Sequence, residues 1–359
     1  MRVLLVTGSS GGHIFPALAL MDRLKDSCAD LLMVLPNKNS SGKIAVGCGS
    51  IRYIHDSRLG LKLGSKNIRE AYFFLIGAWE SLRALIEFKP DVVVGFGSLN
   101  TVALLFWAWL FRIKTIIHEQ NVVPGRANRL LAKFVDKVAV SFAQTGSYLN
   151  ISQQKVVLTG NPLRKDLVKV GRKEVLDFFD FKEGKFNILI TGGSQGSHKL
   201  NTVCCAALTA CHKRNDLQLI HISGEQDLAL LKQSYAQAQI THKVFGFFPD
   251  MQYAYSIADL VVCRAGATTI AELQRFGLPA LLIPYPFAYG HQLNNARVLL
   301  EGGSALLILD EELCVEKIRD KINELMNEPQ KLNDMRQAYA RARSIDAAGL
   351  LADEVLNLN

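Results

Sequence analysis

Two glycine-rich segments and four polar clusters hold the side chains able to do chemistry in this 359-residue chain. VTGSSGGH at Val6–His13 and ITGGSQGSH at Ile190–His198 each follow an apolar run and open a helical pattern. Glycines after a strand let the backbone turn tightly and bring main-chain N–H groups toward a ligand, and the N-terminus of the next helix favours negative charge. A diphosphate is the natural guest, and two such loops suit a pair of diphosphate-bearing substrates. Neither loop has GxGxxG spacing with an acid ~20 residues on, nor GxxxxGK[ST], which disfavours nicotinamide cofactors and P-loop ATP binding. The polar clusters are His118-Glu119-Gln120-Asn121, Asn161-Pro162-Leu163-Arg164, Arg264 to Glu272 and His291 to Ala296. All follow apolar runs, where α/β proteins place ligand sites.

Short apolar runs alternate with longer helical stretches over the whole length. Strands are expected at Arg2–Thr7, Leu31–Leu35, Val92–Gly95, Thr115–His118 and Val138–Val140 in the first half. In the second half they are expected at Asn187–Thr191, Gln218–Ser223, Leu260–Val262, Ala280–Ile283 and Ala305–Ile308. Apolar strands without alternation are what parallel sheets covered on both faces require, so the class is α/β and doubly wound. The two glycine loops divide the chain into two Rossmann-like domains, with a linker near Gly160-Asn161-Pro162. Ser344–Leu358 is helical in pattern and is placed to return to the first domain.

The chain carries 41 Lys and Arg against 33 Asp and Glu, with 49% hydrophobic residues, which excludes a disordered or fibrous protein. Residues 1–162 hold 19 of the basic residues against 10 acidic, and the remainder 22 against 23. The basic excess is therefore N-terminal, in Arg52, Arg58, Lys62, Lys66 and Arg69 and again in Arg112, Lys114, Arg126, Arg129, Lys133 and Lys137. Between these lie AYFFLIGAWESLRALIEF (Ala71 to Phe88) and TVALLFWAWLF (Thr101 to Phe111). Core packing accounts for both runs. Apolar and aromatic residues flanked by Lys and Arg also make the pattern of a surface that sits on anionic headgroups. The aromatics are not interleaved with the basic residues, so nucleic acid is not an expected partner. No run approaches the ~20 apolar residues of a membrane span. MRVLLVTGSS reads as a first strand and not as a secretory leader, giving a cytoplasmic protein as the expectation. Seven cysteines without a CxxC pair read as reduced, mostly buried thiols.

The ordered set GSSGGHIFPALAL, HEQNVVPGRANRLLAK, GNPLR, TGGSQGS, VVCRAGATTIAELQRFGLPALLIPYP and HQLNNA resembles the MurG family. These are the peptidoglycan N-acetylglucosaminyltransferases that make lipid II from lipid I. The resemblance covers nearly the whole chain and implies a GT-B fold, two Rossmann-like parallel-sheet domains facing across a cleft. It implies an acceptor and membrane-facing domain of residues 1–162 plus 341–359, and a UDP-GlcNAc-binding domain of residues 163–340. The implied reaction moves GlcNAc from UDP-GlcNAc, with inversion, to the C4 hydroxyl of the MurNAc sugar of lipid I. The implied location is the cytoplasmic face of the membrane, where the protein is peripheral on an anionic surface. No cofactor is implied, and no metal, since the chain has no DxD motif.

Carried over by motif, Glu272 resembles the carboxylate that takes the ribose hydroxyls of UDP, and Ser194 and Gln195 sit in the loop that holds the diphosphate. Arg164, Arg264, Thr268, Thr269 and His291 belong to the donor side. Phe248 and Met251 match the segment bordering the uracil, and Gln292 a residue contacting the GlcNAc hydroxyls. Ser10, Gly11, Gly12, Gly97, Asn121 and Asn161 fall on the acceptor and its diphosphate. His13 is placed as the base that deprotonates the attacking hydroxyl, with His118 and Glu119 as alternatives or as groups that orient base or acceptor. Histidine titrates near neutrality, which suits such work.

Three stretches depart from the family pattern. Gly8-Ser9-Ser10-Gly11-Gly12-His13 stands where Gly-Gly-Thr-Gly-Gly-His is usual, and Tyr289-Gly290-His291-Gln292 lacks the usual Asp or Asn. Gly95-Phe96-Gly97-Ser98-Leu99-Asn100 replaces the second glycine and the aromatic of GxGG-Tyr. That loop keeps another GT-B glycolipid transferase open as an alternative. A soluble UDP-GlcNAc 2-epimerase and a non-catalytic sugar-nucleotide-binding protein are the readings from other classes.

Overall fold

The computed structural model describes residues 1–37, 49–56, 65–193, 196–211, 213–287, 290–340 and 345–358. The chain divides into two compact units, Met1–Arg164 with Ile345–Asn359, and Lys165–Ser344.

The first unit runs β1 (Arg2–Val6), α1 (Gly11–Leu24), β2 (Asp30–Asn37), β3 (Ser50–His55), α2 (Ser65–Phe88), β4 (Val92–Gly95) and α3 (Leu99–Leu110). It continues through β5 (Lys114–Glu119), α4 (Arg126–Leu131), β6 (Lys137–Val140) and β7 (Val156–Leu158). Its strands form a parallel sheet in the order β3-β2-β1-β4-β5-β6-β7. The order reverses between β1 and β4, which pair with Val6 opposite Gly95. The loops leaving these two strands therefore diverge and open a crevice, the ligand position of doubly wound sheets.

The second unit runs α5 (Arg172–Phe179), β8 (Phe186–Thr191), α6 (His198–Thr209), β9 (Leu217–Ile222), α7 (Leu228–Gln237), β10 (Thr241–Phe245) and α8 (Met251–Ile257). It continues through β11 (Leu260–Cys263), α9 (Ala267–Phe276), β12 (Ala280–Leu282), α10 (His291–Glu301), β13 (Ala305–Leu307), α11 (Val315–Asn327) and α12 (Pro329–Ala340). Its parallel sheet has the order β10-β9-β8-β11-β12-β13, so the same reversal falls between β8 and β11. The last helix, α13 (Ala347–Leu356), belongs to the first unit. There Leu351, Ala352 and Val355 bury against Leu20, Met21 and Leu24 of α1, and Glu354 pairs with Lys137.

Each sheet is apolar on both faces because helices cover both. In the first unit Val3, Leu5, Met33 and Val94 face α1 and α13, while Leu4, Val6, Val93 and Ile117 face α2, α3 and α4. In the second, Ile188, Ile190, Leu219 and Val262 pack with Leu200, Cys204, Ile318 and Ile322. Three strands were not expected from the sequence: β3, β7 and β10. All three lie at sheet edges, where one side is open and polar residues such as Arg52, Tyr53 and His242 are tolerated.

Among the described residues no helix is long and apolar enough to cross a membrane. The two apolar runs form α2 and α3, which pack together through the Trp107 indole N–H donating to Ala78 O at 3.0 Å. Ala84, Leu85, Leu104 and Leu105 go to the core, while Tyr72, Leu75, Trp79, Ile86, Phe106, Trp109 and Leu110 stay exposed. The cysteines Cys204, Cys205, Cys211 and Cys263 are buried thiols, and Cys28 and Cys314 are half-buried. Cys48 lies outside the described residues.

Candidate functional site

In the first unit the loop after β1 brings His13 into the first turn of α1. Ser10 precedes the helix without capping it through its side chain, and its hydroxyl instead lies 3.2 Å from His13 Nδ1. The imidazole occupies space that Gly8 keeps clear and lies within van der Waals reach of Gly97. A β-carbon on Gly8 would lie 2.7 Å from His13 Nδ1, and one on Gly97 would lie 3.5 Å from Nε2. Gly97 leaves β4, so the two loops of the switch point meet at this ring. Gly97 has φ +87°, and Ser98 beside it has φ +92°, a backbone region that L-residues rarely occupy. Half-buried among these loops, His13 is desolvated, which lowers its pKa to about 4 and keeps the ring neutral at pH 7.

His118 and Glu119 end β5 and are both buried. His118 Nε2 donates to Gly160 O at 2.9 Å, and Nδ1 accepts from Gln120 Nε2 at 3.2 Å, so both ring nitrogens are engaged. Desolvation lowers its pKa to about 4 against the Gly160 hydrogen bond, which favours the charged form. Glu119 accepts four hydrogen bonds. Oε1 takes them from Asn121 N (2.9 Å) and Nδ2 (3.1 Å), and Oε2 from Gly125 N (3.0 Å) and Asn128 Nδ2 (2.8 Å). Its carboxylate thus folds residues 120–125 into a fixed turn and starts α4. Asn128 bridges onward to His118 O at 3.2 Å, while its buried Oδ1 has no protein partner. Asn161 follows Gly160 and is buried with neither amide atom hydrogen-bonded. Such orphaned polar atoms are costly unless a ligand or water completes them. Arg164 closes the first unit, its guanidinium 5.6 Å from the Phe15 ring on α1.

In the second unit the loop after β8 is drawn tight. Gly193 N donates to Thr191 Oγ1 at 3.2 Å, and a β-carbon on Gly196 would meet Ser223 O at 2.2 Å. Ser194 and Gln195, assigned to the diphosphate from the sequence, lie outside the described residues. Arg264, one residue past β11, joins the two loops of this switch point. Its NH2 donates to Ser197 Oγ at 2.9 Å, and NH1 to Asp310 Oδ1 at 2.6 Å and Ile283 O at 3.0 Å. Desolvation opposes ionisation of Asp310, but hydrogen bonds from Lys199 and Arg264 outweigh it and hold the carboxyl below its ordinary pKa. With both terminal nitrogens committed, Arg264 shapes the loop.

Gln292, on the first turn of α10, accepts from Ala265 N (3.1 Å) and Tyr285 N (2.8 Å), which pins the segments after β11 and β12 together. His291 starts the same helix. A second line runs along α8 and α9. Glu272 Oε2 accepts from Tyr255 Oη at 2.8 Å. Tyr255 is one turn from Met251, and Glu272 one turn from Thr268, so the four share facing stripes. Thr268 Oγ1 is buried without a partner, and Thr269 is half-buried beside it. Phe248 is buried in an aromatic cluster, 4.5 Å from Phe245 and 5.8 Å from Phe179 between ring centroids. Sequence reasoning missed Asn128, Tyr255 and Asp310. Asn128 lay inside a quoted motif, but Tyr255 and Asp310 sit on distant elements and gave no local signal.

Two parallel-sheet units, each with a glycine loop at its switch point, make up the GT-B fold. The profile of the glycosyltransferase family 28 N-terminal domain matches residues 3–140, and that of the family 28 C-terminal domain matches residues 187–351. A UDP-N-acetylglucosamine--N-acetylmuramyl-(pentapeptide) pyrophosphoryl-undecaprenol N-acetylglucosamine transferase of Thermodesulfovibrio yellowstonii is 38% identical, with 94% of this chain and 93% of that one aligned. The crystal structure of Acinetobacter baumannii MurG is 27% identical and superposes with a TM-score of 0.75 over 99% of each chain. The chain belongs to the MurG family of glycosyltransferases. A UDP-GlcNAc 2-epimerase from Neisseria meningitidis bound to UDP-GlcNAc, 15% identical with a TM-score of 0.71 over 100% of each chain, shares the fold alone.

Proposed function

We propose that the chain moves GlcNAc from UDP-GlcNAc to the C4 hydroxyl of the MurNAc sugar of lipid I, with inversion, forming lipid II at the cytoplasmic face of the membrane. The observation that carries the chemistry is His13, a neutral imidazole held between Gly8 and Gly97 at the switch point of the first unit. With Nδ1–H donating to Ser10 Oγ, Nε2 keeps its lone pair and takes the C4 proton as that oxygen bonds to the anomeric carbon. The bond from the anomeric carbon to the UDP phosphate oxygen breaks in the same displacement. A diphosphate on the N–H groups of Gly11 and Gly12 raises the basicity of the ring beside it.

In this reading the first unit takes the acceptor, with Gly97, Asn121 and Asn161 beside it, and the second takes the donor. The orphaned amide of Asn161 and Oδ1 of Asn128 support polar contacts to a bound sugar or diphosphate. His118 and Glu119 are positioning residues, since their hydrogen-bonding atoms are already engaged. Glu272 and Thr268 face the nucleoside, with Phe248 and Met251 bordering its base. Charge developing on the leaving UDP falls on the loop N–H groups and the N-terminus of α6, a loop shaped by Arg264. Arg164, Thr269, His291 and Gln292 complete the donor side.

The exposed stripe Tyr72, Leu75 and Trp79, with Phe106, Trp109 and Leu110, lies on the basic unit and supports docking on an anionic membrane surface. Product analysis tests the function. Incubation with UDP-GlcNAc and a short-chain lipid I analogue is expected to give a β-linked GlcNAc on the MurNAc C4 oxygen by NMR. An unmodified analogue, or conversion of UDP-GlcNAc to its 2-epimer, contradicts it.

A further inference from the structure

A chain of buried polar groups in the second unit ends at the start of α6. Tyr235 Oη donates to His221 Nδ1 at 2.9 Å, and His221 Nε2 donates to Asn201 Oδ1 at 3.1 Å. Asn201 Nδ2 donates to Ser223 O at 2.8 Å and to Asp227 Oδ2 at 2.7 Å. His198, the first residue of α6, donates from Nδ1 to the other oxygen, Asp227 Oδ1, at 2.7 Å. Tyr235, His221, Asn201 and Asp227 are buried, whereas the His198 side chain is 62% exposed. Burial opposes ionisation of Asp227, but hydrogen bonds from Asn201 and His198 outweigh it and hold the carboxyl below its ordinary pKa.

A buried polar chain costs stability against apolar packing of the same shape, and what it gives in return is fixed geometry. Here the fixed geometry reaches the loop after β8. A β-carbon on Gly196 would meet Ser223 O at 2.2 Å, and one on Gly192 would lie 2.5 Å from Ser197 N. Gly196 to His198 therefore cannot shift without disturbing Ser223 or Asp227, both in the segment after β9. From the opposite side of β8, Arg264 of the segment after β11 holds Ser197 Oγ at 2.9 Å. Neither anchor caps the helix. Ser197 makes no side-chain cap, and the Asp227 oxygens bond to side chains. The first main-chain N–H groups of α6 are thus held in place without a capping side chain, the arrangement that takes an anion.

We propose that His198 and Asp227 are positioning residues for the donor, their hydrogen bond setting Gly196, Ser197 and the first turn of α6 so that main-chain N–H groups meet the diphosphate of UDP-GlcNAc. The proposal rests on the donor reading above. The pair acts through the backbone, because Asp227 follows β9, on the far side of β8 from the switch point.

Calorimetric titration of the full chain with UDP and with uridine separates diphosphate contacts from base and ribose contacts. His198→Ala is expected to weaken UDP binding about tenfold while uridine binding and thermal midpoint stay unchanged. His198→Asn, whose amide nitrogen replaces Nδ1, is expected to restore UDP binding. Asp227→Asn should weaken UDP as His198→Ala does, and the double variant should be no weaker than the weaker single one. Undiminished UDP binding in both His198→Ala and Asp227→Asn overturns the proposal. So does an equal loss for UDP and uridine, the mark of a general loosening of the unit, or a His198→Asn variant as weak as His198→Ala. If the unsubstituted protein binds UDP no tighter than uridine, no diphosphate sits on this loop, and the donor reading fails together with the proposal.

Discussion

The His13 imidazole packs against Gly97, where a β-carbon would lie in van der Waals contact with Nε2 at 3.5 Å. The contact joins the loop after β1 to the loop after β4, the two strands between which the sheet order reverses. Gly97 also has φ +87°. Gly97→Ala puts a β-carbon into that positive-φ backbone and is expected to cost about 1–3 kcal/mol of stability, with kcat lowered at least tenfold as the strained loop shifts against His13. Denaturant unfolding and steady-state kinetics check the two effects, and a variant with wild-type kcat removes the constraint from the account.

Ser98 carries the strain where the family commonly has a second glycine. At φ +92°, Ser98→Gly relieves it and is expected to stabilise the chain by about 1 kcal/mol, visible as a higher denaturation midpoint. A lower midpoint would mean that the Ser98 hydroxyl, 3.4 Å from Thr101 Oγ1, contributes more than the backbone costs.

Glu272 meets the Tyr255 hydroxyl at 2.8 Å. Glu272→Ala is expected to weaken donor use by about 1–3 kcal/mol, read as a higher KM for UDP-GlcNAc. Tyr255→Phe keeps the carboxylate but loses its tether, and a smaller rise in the same KM is expected. If Glu272→Ala leaves the donor KM unchanged, the ribose contact belongs to another residue.

Acid should loosen the fold through buried histidines. His118 and His221 have pKa values lowered from 6.5 to about 4 and about 3 by desolvation. His221 is held between Tyr235 Oη (2.9 Å) and Asn201 Oδ1 (3.1 Å). Below pH 6.5 the unfolded chain binds protons that the folded chain refuses. The stability is thus full above that value and falls toward pH 4, by about 3 kcal/mol for His118. Unfolding free energies at pH 7.5, 5.5 and 4.5 check this. His118→Asn and His221→Asn should each flatten the slope, and an unchanged slope in both would assign the acid sensitivity elsewhere.

The interior strands and both glycine loops were legible because two-sided burial writes uninterrupted apolar runs, and because tight turns demand glycine. The edge strands β3, β7 and β10 were not, since an edge accepts Arg52 or His242 as readily as valine. At the site, the motif marked where His118 and Glu119 lie but not that their polar atoms are already spent on Gly160, Asn121, Gly125 and Asn128. Hydrogen-bond saturation is a property of the folded loop and leaves no trace in residue type. Arg264 is similar, because its partner Asp310 lies 46 residues away on another element.

The central claim is that His13 serves a transfer onto a lipid-linked sugar, and UDP release tests it most directly. UDP should appear from UDP-GlcNAc only when a short-chain lipid I analogue is present. His13→Ala should lower that rate about 10²–10⁴-fold while donor binding persists. Release independent of the analogue, or a His13→Ala rate near that of the unsubstituted protein, contradicts the account.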